Sequence, residues 1–372
     1  MATSAQVAVT GMGWTTPLGD DLDRVWARLL AAETGLVPVP QRARLRNALA
    51  AVVPGVEWER PAAERLRTIA AGALRRAVAA AGRTAGDPEM QVVIGTSLGS
   101  FLDDDPPAAD LHAWADELCR ELGFAAPPIV VSTTCSSGSD AILLGGELVR
   151  AGAARRCVCG GVDVASASKL EAHSALGTMS PSLLRAFDVR HDGTLLGEGA
   201  GFLVLEGPVT ERRPLAWLLG AGSANDATGM TAPDREGRAA GLAIERSLAA
   251  AELAGEQIGV INAHGSGTVL NDETECRAFG QVFRGHGRPV VFATKGNLGH
   301  SLGATGALEA IAVVLALRRQ EAPPIAGLEQ PVPECPLPLA QGAPLPFSAS
   351  YGLSLTLGFG GFNTSLVFGA CL

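Results

Sequence analysis

The stretch VVSTTCSSGSDAILLGGELVRAG, residues 130–152, decides the fold because it reads as an apolar strand, a turn of small residues and a helix. Cys135 stands in the turn, where unpaired backbone N–H groups and the dipole of the coming helix favour negative charge. A thiol in this place is expected to have a lowered pKa and to act as a nucleophile. A buried structural cysteine beside a helix cap is the alternative interpretation.

Two later stretches repeat this pattern and carry histidines. In INAHGSGTVLNDETE, residues 261–275, His264 follows an apolar strand and enters a turn of small residues. In ATKGNLGHSLGATGALEA, residues 293–310, Lys295 follows a strand and His300 precedes another helix. Such turns lie at one edge of the sheet in layered α/β folds, and ligands bind there. We therefore expect the two histidines and the cysteine to converge, although a lone histidine after a strand is more often structural.

Strands and helices alternate in two successive sets, which predicts a layered α/β fold. The expected strands are residues 6–10 (ending in a glycine turn, GMG), 91–95, 128–132, 156–164 and 201–205, then 215–220, 260–263, 290–294 and 364–369. The expected helices are residues 62–81, 139–151, 237–253 and 304–319. A stretch containing proline and arginine, residues 207–214, separates the sets, and we place the two halves at residues 1–206 and 207–372.

Composition restricts the partners and the location. Of 372 residues, 47% are hydrophobic, and the net charge of −9 argues against a nucleic-acid partner. The sequence shows neither a signal-peptide pattern nor an apolar segment long enough for a bilayer, so we expect a cytoplasmic protein with no membrane association. Its seven cysteines form no CxxC pair, so no metal site is expected. Only two of 29 basic residues are lysines, Lys169 and Lys295, which draws attention to the second.

Five segments resemble the signatures of one enzyme family, the elongating β-ketoacyl-acyl-carrier-protein synthases. They are TTCSSGSDAI (133–142), GEGAGFLVLE (197–206), NAHGSGTVLND (262–272), TKGNLGH (294–300) and GFGGFN (358–363). The resemblance implies the thiolase fold, a duplicated five-layered αβαβα architecture, and an acyltransferase that forms carbon–carbon bonds. It implies that the chain pairs with a second copy or with a synthase-like subunit. It also implies no cofactor, since substrates arrive on the phosphopantetheine arm of an acyl carrier protein.

The resemblance also assigns roles. Cys135 takes an acyl group from a carrier-protein thioester, and the backbone N–H groups of Cys135 and Phe359 receive the oxyanion. A malonyl thioester then loses CO₂, and the imidazoles of His264 and His300 hold the enolate oxygen. Lys295 acts indirectly, through the electrostatics and hydrogen bonds of the site.

Further residues match supporting positions of the family. Glu309 supports the second histidine motif. Phe359 and Asp226 match a gate that admits the acyl chain or the malonyl unit. Thr231 and Thr268 match residues that bind the phosphopantetheine arm. Core packing for the phenylalanine and a turn for the aspartate are the alternatives.

An arginine patch is expected to receive the acidic carrier protein. The candidates are Arg60, Arg65 and Arg67, which precede or open the helix expected at residues 62–81.

The chain is shorter than is usual for the family, chiefly near residues 38–60 and 100–126, so acyl chain length and pathway (fatty-acid, polyketide or polyene) stay open. A non-catalytic partner subunit of the chain-length-factor type is the alternative function, against which Cys135 and both histidines argue. A degradative thiolase would need a second cysteine where GFGGFN stands, and Cys371 lies beyond the last strand. A starter-type synthase would have Asn in place of His300.

Overall fold

The computed structural model describes residues 6–40, 45–103, 110–207, 213–285 and 288–371. Its strands are β1 (Val7–Thr15), β2 (Leu36–Pro38), β3 (Leu49–Ala51), β4 (Met90–Gly95), β5 (Ile129–Val131), β6 (Arg156–Asp163), β7 (Gly199–Glu206), β8 (Ala216–Asn225), β9 (Ile258–Asn262), β10 (Val290–Phe292), β11 (Glu321–Ala322), β12 (Leu345–Pro346), β13 (Tyr351–Gly358) and β14 (Phe362–Ala370). Its helices are α1 (Leu22–Leu30), α2 (Ala62–Ala80), α3 (Ala113–Leu122), α4 (Ser137–Arg150), α5 (Ala167–Ala175), α6 (Arg238–Ala250), α7 (Val269–Val282), α8 (Lys295–Leu298) and α9 (Thr305–Arg319).

Ten strands are hydrogen-bonded side by side, and their order shows an internal duplication. The order is β10-β9-β13-β14-β8-β1-β7-β6-β4-β5. From the β1–β8 junction outward, each half has two antiparallel pairings followed by two parallel pairings. In both halves the first strand of the set lies at the junction and the third lies at the outer edge. The two halves are thus the same five-stranded unit, as the resemblance implied.

Helices pack on both sides of each half-sheet. Between the halves, α4 and α9 contact each other, α4 rests mainly on β6 and β4, and α9 contacts strands of both halves. On the outside, α2 covers β1 and β7 with α3 beside it, while α6 covers β8 and β14 with α7 beside it. The layers therefore run helix, sheet, helix, sheet, helix, which confirms the predicted five-layered architecture. Burying both faces of α9 explains why its residues 305–317 are all buried.

The glycine turn expected at residues 11–13 is a wrong prediction, because β1 continues through it to Thr15. A Cβ added at Gly11 would lie 2.3 Å from the backbone oxygen of Ala77, and one at Gly13 would lie 2.5 Å from the Ala77 nitrogen. These glycines let α2 approach the strand closely rather than turn the chain. Sequence pattern does not separate these two uses of glycine.

The first set of strands ends with β7 at Glu206, and the second begins with β8 at Ala216. Residues 208–212 of the expected seam lie outside the described residues, so the boundary between 206 and 207 stays a prediction. Within the described ranges, no helix combines the length and apolar character needed to cross a membrane.

Candidate active site

Cys135 lies in a short 3₁₀ turn, Thr134–Ser136, between β5 and α4. Thr134 has φ of +55°, a left-handed conformation that costs a non-glycine residue about 1–3 kcal/mol. The turn is held by its own hydroxyls, since Thr134 Oγ1 donates to the carbonyl of Phe359 over 2.8 Å and Ser136 Oγ donates to Asp140 over 2.8 Å. A strained turn fixed in this way aims the thiol away from the helix and into a cavity.

The expectation of a lowered pKa for Cys135 is wrong. Burial raises the pKa of the thiol to about 11, outweighing a backbone hydrogen bond from Phe359 and the positive charge of Lys295, which both lower it. The side chain is only 5% exposed, so water does not stabilise a thiolate. The resting group is therefore a neutral thiol. Position at a helix start is visible in the sequence, whereas depth of burial is not.

The proton on His264 can be placed from its neighbour. Lys295 Nζ lies 3.1 Å from His264 Nδ1 and also donates to the His264 carbonyl oxygen. An ammonium group has no lone pair to accept with, so Nδ1 must be the acceptor. The imidazole hydrogen is then on Nε2, which leaves the ring able to donate a hydrogen bond from that atom.

His300 also has its N–H hydrogen on Nε2, but a different contact is responsible. The backbone N–H of Leu302 donates to His300 Nδ1 over 3.1 Å, and Thr305 Oγ1 lies 3.1 Å from the same nitrogen. Because a backbone N–H can only donate, Nδ1 is again the acceptor and Nε2 carries the hydrogen. Leu302 adopts φ of +48° to make this contact, a second left-handed non-glycine residue at the site.

The two imidazoles form an edge-to-face pair with centroids 5.2 Å apart and an interplanar angle of 84°. Burial lowers the pKa of both His264 and His300 well below the usual range, and the charge of Lys295 lowers each further. Both rings are therefore neutral at physiological pH. Two neutral Nε2–H donors side by side suit an oxygen that becomes negative during a reaction.

Lys295 is 1% exposed and forms an ion pair with Glu309, also 1% exposed. Burial raises the pKa of Glu309 to about 7, although the charge of Lys295 opposes the rise. Glu309 Oε2 also accepts from Thr356 Oγ1 over 3.3 Å. The carboxylate thus holds the ammonium against the first histidine, although the sequence associates it with the second.

Close backbone packing brings the cysteine turn and the second histidine together. A Cβ added at Gly303 would lie 2.3 Å from the Ser97 nitrogen, and one at Gly306 would lie 2.0 Å from Ser139 Oγ. Ser139 is in the first turn of α4, and Gly306 is in the first turn of α9. The starts of the two central helices therefore touch, which only glycine permits.

A cavity of about 390 Å³ opens at this point. Its wall contains most of the predicted site residues, namely Cys135, Thr231, His264, Thr268, His300 and Phe359. Lys295 and Glu309 lie behind this wall. Asp226 is not in the wall either: its carboxylate accepts from Thr228 N and Asp234 N, and its own N–H donates to Gly361 O. Asp226 thus joins its loop to the turn that carries Phe359, and its gating role stays a prediction.

The predicted docking arginines differ in exposure. Arg65 is 2% exposed, forms an ion pair with Glu198 and donates to the carbonyl of Ala165, so its assignment to a docking surface is wrong. Arg65 instead joins α2 to the loop after β6 and to the residue before β7. Arg67 is paired with Glu117 and Glu121 on α3, and Arg60 is paired with Glu57. None of the three contributes to the cavity wall.

The sequence motifs missed a carboxylate behind His264. Glu275 is fully buried and accepts from the backbone N–H groups of His264 and Gly265, each over 2.7 Å. Burial and the charge of Asp272 raise the pKa of Glu275 to about 8. The sequence does contain a signal for Glu275. Asp272 and Glu275 stand three residues apart on the buried face of α7, the helix that follows the His264 turn.

The other lysine of the chain, Lys169, also has a role that the sequence motifs missed. Lys169 is 2% exposed and pairs with Asp163 at the end of β6. Asp163 Oδ2 accepts from the N–H groups of Ser97 and Gly303, over 2.8 Å and 3.0 Å. This buried pair thus supports the loop after His300. Both lysines of the chain are inside the protein, so every exposed basic side chain is an arginine or a histidine.

His173 is the third omission. Its imidazole lines the cavity beside the ring of Phe359, and no motif quoted from the sequence contains it.

Comparisons with known proteins agree with this geometry. Family models described as beta-ketoacyl synthase, N-terminal domain, and beta-ketoacyl synthase, C-terminal domain, match residues 4–63 and 59–208, and residues 215–329. The two N-terminal matches meet at residues 59–63, at the border of the region 38–60 in which the chain is expected to be short.

Full-length relatives are similar throughout. A 3-oxoacyl-acyl-carrier-protein synthase 2 of Mycobacterium bovis is 32% identical over 414 aligned positions, covering 98% of this chain and 97% of that protein. The structure of the ishigamide ketosynthase/chain length factor is 30% identical with a TM-score of 0.90, covering 99% of this chain and 100% of that one. A beta-ketoacyl synthase from Burkholderia phymatum is 28% identical with a TM-score of 0.87, covering 98% and 99%.

Proposed function

The chain belongs to the β-ketoacyl synthase family, and we propose that it condenses an acyl group held on Cys135 with a malonyl group on an acyl carrier protein. The observation that carries this proposal is one cavity with a thiol and two Nε2–H donors in its wall. The product is a β-ketoacyl thioester two carbons longer than the acyl group. The chain is thus an acyltransferase of fatty-acid or polyketide elongation.

In the first step Cys135 sulfur attacks the thioester carbonyl carbon of the acyl carrier. A sulfur–carbon bond forms, the bond to the carrier sulfur breaks, and the thiol proton ends on the released carrier thiol. The intermediate oxyanion lies between the N–H groups of Cys135 and Phe359. Removing one such donor typically costs 10²–10³ in rate, on the order of 3–4 kcal/mol. The Phe359 hydrogen bond to the sulfur supports this assignment, because it brings that N–H next to the reacting atom.

In the second step the malonyl thioester loses CO₂. The electron pair of the broken carbon–carbon bond moves into an enolate, whose oxygen receives hydrogen bonds from Nε2–H of His264 and His300. Neutral rings suit this task because they donate to the enolate without protonating it outright. Lys295 is a positioning residue here, since its contact with Nδ1 keeps the hydrogen of His264 on Nε2.

In the third step the enolate carbon attacks the Cys135 thioester. The oxyanion again lies between the two backbone N–H groups, and its collapse breaks the carbon–sulfur bond. One proton is consumed as the thiolate returns to the thiol. The raised pKa of Cys135 favours this return, because a buried thiolate is a high-energy product that takes up a proton readily. These three steps need no redox or metal chemistry, and we propose that the enzyme uses no cofactor of its own.

The carrier arm enters through the cavity mouth in this proposal. Thr231 and Thr268 line the cavity at its exposed side, which supports the proposal that they bind the arm. Two arginines near the mouth are better docking candidates than those expected from the sequence. Arg46 donates to the carbonyl of Gly177 in the cavity wall, and Arg235 is two residues from Pro233 in the same wall. Neither has a carboxylate partner among the described residues, so both are available to an acidic carrier protein.

A second subunit is proposed at the β5 edge of the sheet. Among the described residues β5 pairs with β4 alone, and exposed apolar side chains lie on β5 (Ile129) and in the loop after β4 (Leu98, Phe101 and Leu102). The equivalent edge strand, β10, is covered by its own chain, since Val291 exchanges backbone hydrogen bonds with residues 338 and 340. An uncovered apolar edge is where another chain adds. We propose either a second copy or a synthase-like subunit there, and a cytoplasmic location.

The alternative is a non-catalytic subunit of a synthase heterodimer, a possibility raised by the similar structure of a ketosynthase/chain length factor. Intact-protein mass after incubation with acyl-carrier proteins of several chain lengths separates the two. The proposed function expects the mass of one acyl group on wild type, none on Cys135→Ala, and the longest accepted chain as a further result. Equal labelling of both proteins, or labelling of neither with any chain, would contradict it.

A further inference from the structure

His173 adds a third imidazole to the cavity. The ring lines the same wall as Cys135, His264, His300 and Phe359. It has a polar contact with Thr178, whose Oγ1 lies 3.0 Å from His173 Nδ1. Burial and the charge of Lys169 lower the pKa of His173 to about 4, so the ring is neutral in the working range of pH. None of the steps derived above uses this residue.

The helix that carries His173 is firmly attached. α5 begins with a Ser166 cap, and its residue Lys169 donates to the carboxylate of Asp163 and to two backbone carbonyls of the neighbouring loops. The last turn of α5 therefore presents the imidazole from a fixed support. Thr178 then fixes one edge of the ring, which leaves a flat face toward the cavity.

That face is stacked on Phe359. The ring centroids are 5.8 Å apart and the planes differ by 20°. The backbone of Phe359 is held, since Thr134 Oγ1 donates to its carbonyl and the N–H of Gly360 donates to Met230, so the phenyl ring moves by rotation about its own side-chain bonds. In this pair the imidazole is the fixed partner and the phenyl ring is the movable one. The stacking contact with His173 therefore affects which position the phenyl ring occupies.

We propose that His173 is a positioning residue that holds the Phe359 ring in its resting place and thereby restricts access to Cys135. A stacked aromatic pair shifts a two-position equilibrium by roughly two- to tenfold. The inference rests on the proposed function in one respect: the restriction keeps a malonyl unit from losing CO₂ before an acyl group is on the cysteine. Its first part, access to the thiol, does not depend on any substrate.

The first test uses iodoacetamide, a small probe that alkylates thiols, with peptide mass spectrometry to follow Cys135 alone. His173→Ala is expected to raise the alkylation rate about two- to tenfold, because the phenyl ring loses its support. His173→Phe keeps a flat ring for stacking and is expected to restore the wild-type rate. Thr178→Val removes the hydroxyl contacts with the ring edge and the carbonyl of His173 but keeps the imidazole, and its rate is expected to fall between the two. Glu171→Ala, at an exposed position of the same helix, controls for damage to α5.

Equal rates in wild type, His173→Ala and His173→Phe overturn the proposal, and so does slower alkylation in His173→Ala. A rate raised equally in Glu171→Ala also overturns it, since a general loosening of the helix then explains the change. If His173→Ala does not fold, Thr178→Val supplies the comparison, and an alkylation rate in that variant equal to the wild-type rate overturns the proposal.

The second test measures the CO₂ released per β-ketoacyl product, with carrier-bound acyl and malonyl groups. Wild type is expected to release one CO₂ per product, and His173→Ala is expected to release about two- to tenfold more, with His173→Phe near one. A ratio that stays at one in His173→Ala overturns the role in ordering the two substrates. If wild type forms no product at all, the proposed function fails, while the alkylation rates still decide what His173 does to Phe359.

Discussion

Lys295 Nζ donates to Nδ1 of His264 over 3.1 Å, so the N–H hydrogen of that neutral imidazole is on Nε2. A lysine that lies behind the cavity wall thus sets which atom of a histidine in the wall can donate. The ammonium is kept in place by Glu309 and by the His264 carbonyl. The presence of a lysine at this position in a chain that otherwise uses arginine gains a reason here, since a compact ammonium donates to His264 and Glu309 from one point.

Replacing Lys295 by Met is expected to slow CO₂ release by about 10²–10⁴, the range seen when an oxyanion donor or a histidine tautomer is lost. Acylation of Cys135 is expected to continue, because its oxyanion is held by backbone N–H groups. Single-turnover CO₂ release and intact-protein mass measure the two steps separately. Lys295→Met combined with Glu309→Gln removes the unpaired carboxylate and checks that the loss is not a folding defect. Loss of acylation to the same degree would contradict the division of tasks.

Alkylation of Cys135 by iodoacetamide is expected to rise about tenfold per pH unit from pH 7 to pH 10. The reactive form is the thiolate, and a thiol with pKa raised to about 11 is almost wholly protonated throughout this interval. Peptide mass spectrometry at each pH gives the rate for this cysteine alone. A plateau reached near pH 7 would mean a lowered pKa and a helix-start effect that outweighs burial.

Replacing Lys169 by Met is expected to destabilise the protein by about 3–5 kcal/mol, because Asp163 is left charged and unpaired in the interior. Urea unfolding measures the change. Arg155→Met is the matched control, since it breaks an ion pair with Glu89 that is largely exposed, and it is expected to leave the midpoint unchanged. A midpoint for Lys169→Met close to that of the control would show that Asp163 is satisfied by backbone N–H groups alone.

Charge reversal at the cavity mouth is expected to weaken carrier binding. Arg46→Glu and Arg235→Glu should each raise KM for the carrier-bound substrate by about three- to tenfold, with kcat unchanged, and the effect should shrink in high salt. An acyl-coenzyme A substrate, which lacks the carrier surface, should show no such change. Arg60→Glu is the comparison. A larger effect there than at the mouth would return docking to the surface expected from the sequence.

Much of the site could be predicted because it lies at the ends of strands. Cys135 and His264 each follow a strand and precede a helix, Lys295 opens a helix after a strand, and the strand-to-helix turns of a layered sheet share an edge. The family motifs then distinguished these residues from structural ones. The duplication of the fold was also predictable, because the order of elements repeats along the chain even though no sequence repeat does.

Other features depend on partners that are distant in sequence. Arg65 opens a helix and reads as a surface residue, yet Glu198 lies opposite it after folding, 133 positions away. His173 stands in the last turn of a short helix with no motif around it, and only folding stacks it on Phe359.

The sequence by itself determined the layered fold and pointed to the proposed nucleophile and the two histidines, because each depends on local pattern and on order along the chain. Tertiary structure alone decided the protonation of the site. The burial of Cys135 raises the pKa of its thiol and keeps it neutral. The donor that faces each Nδ1 puts the N–H hydrogen of each imidazole on Nε2. Burial and hydrogen-bond partners are properties of the packed chain. A sequence motif can therefore identify a candidate residue but not its protonation state in the folded protein.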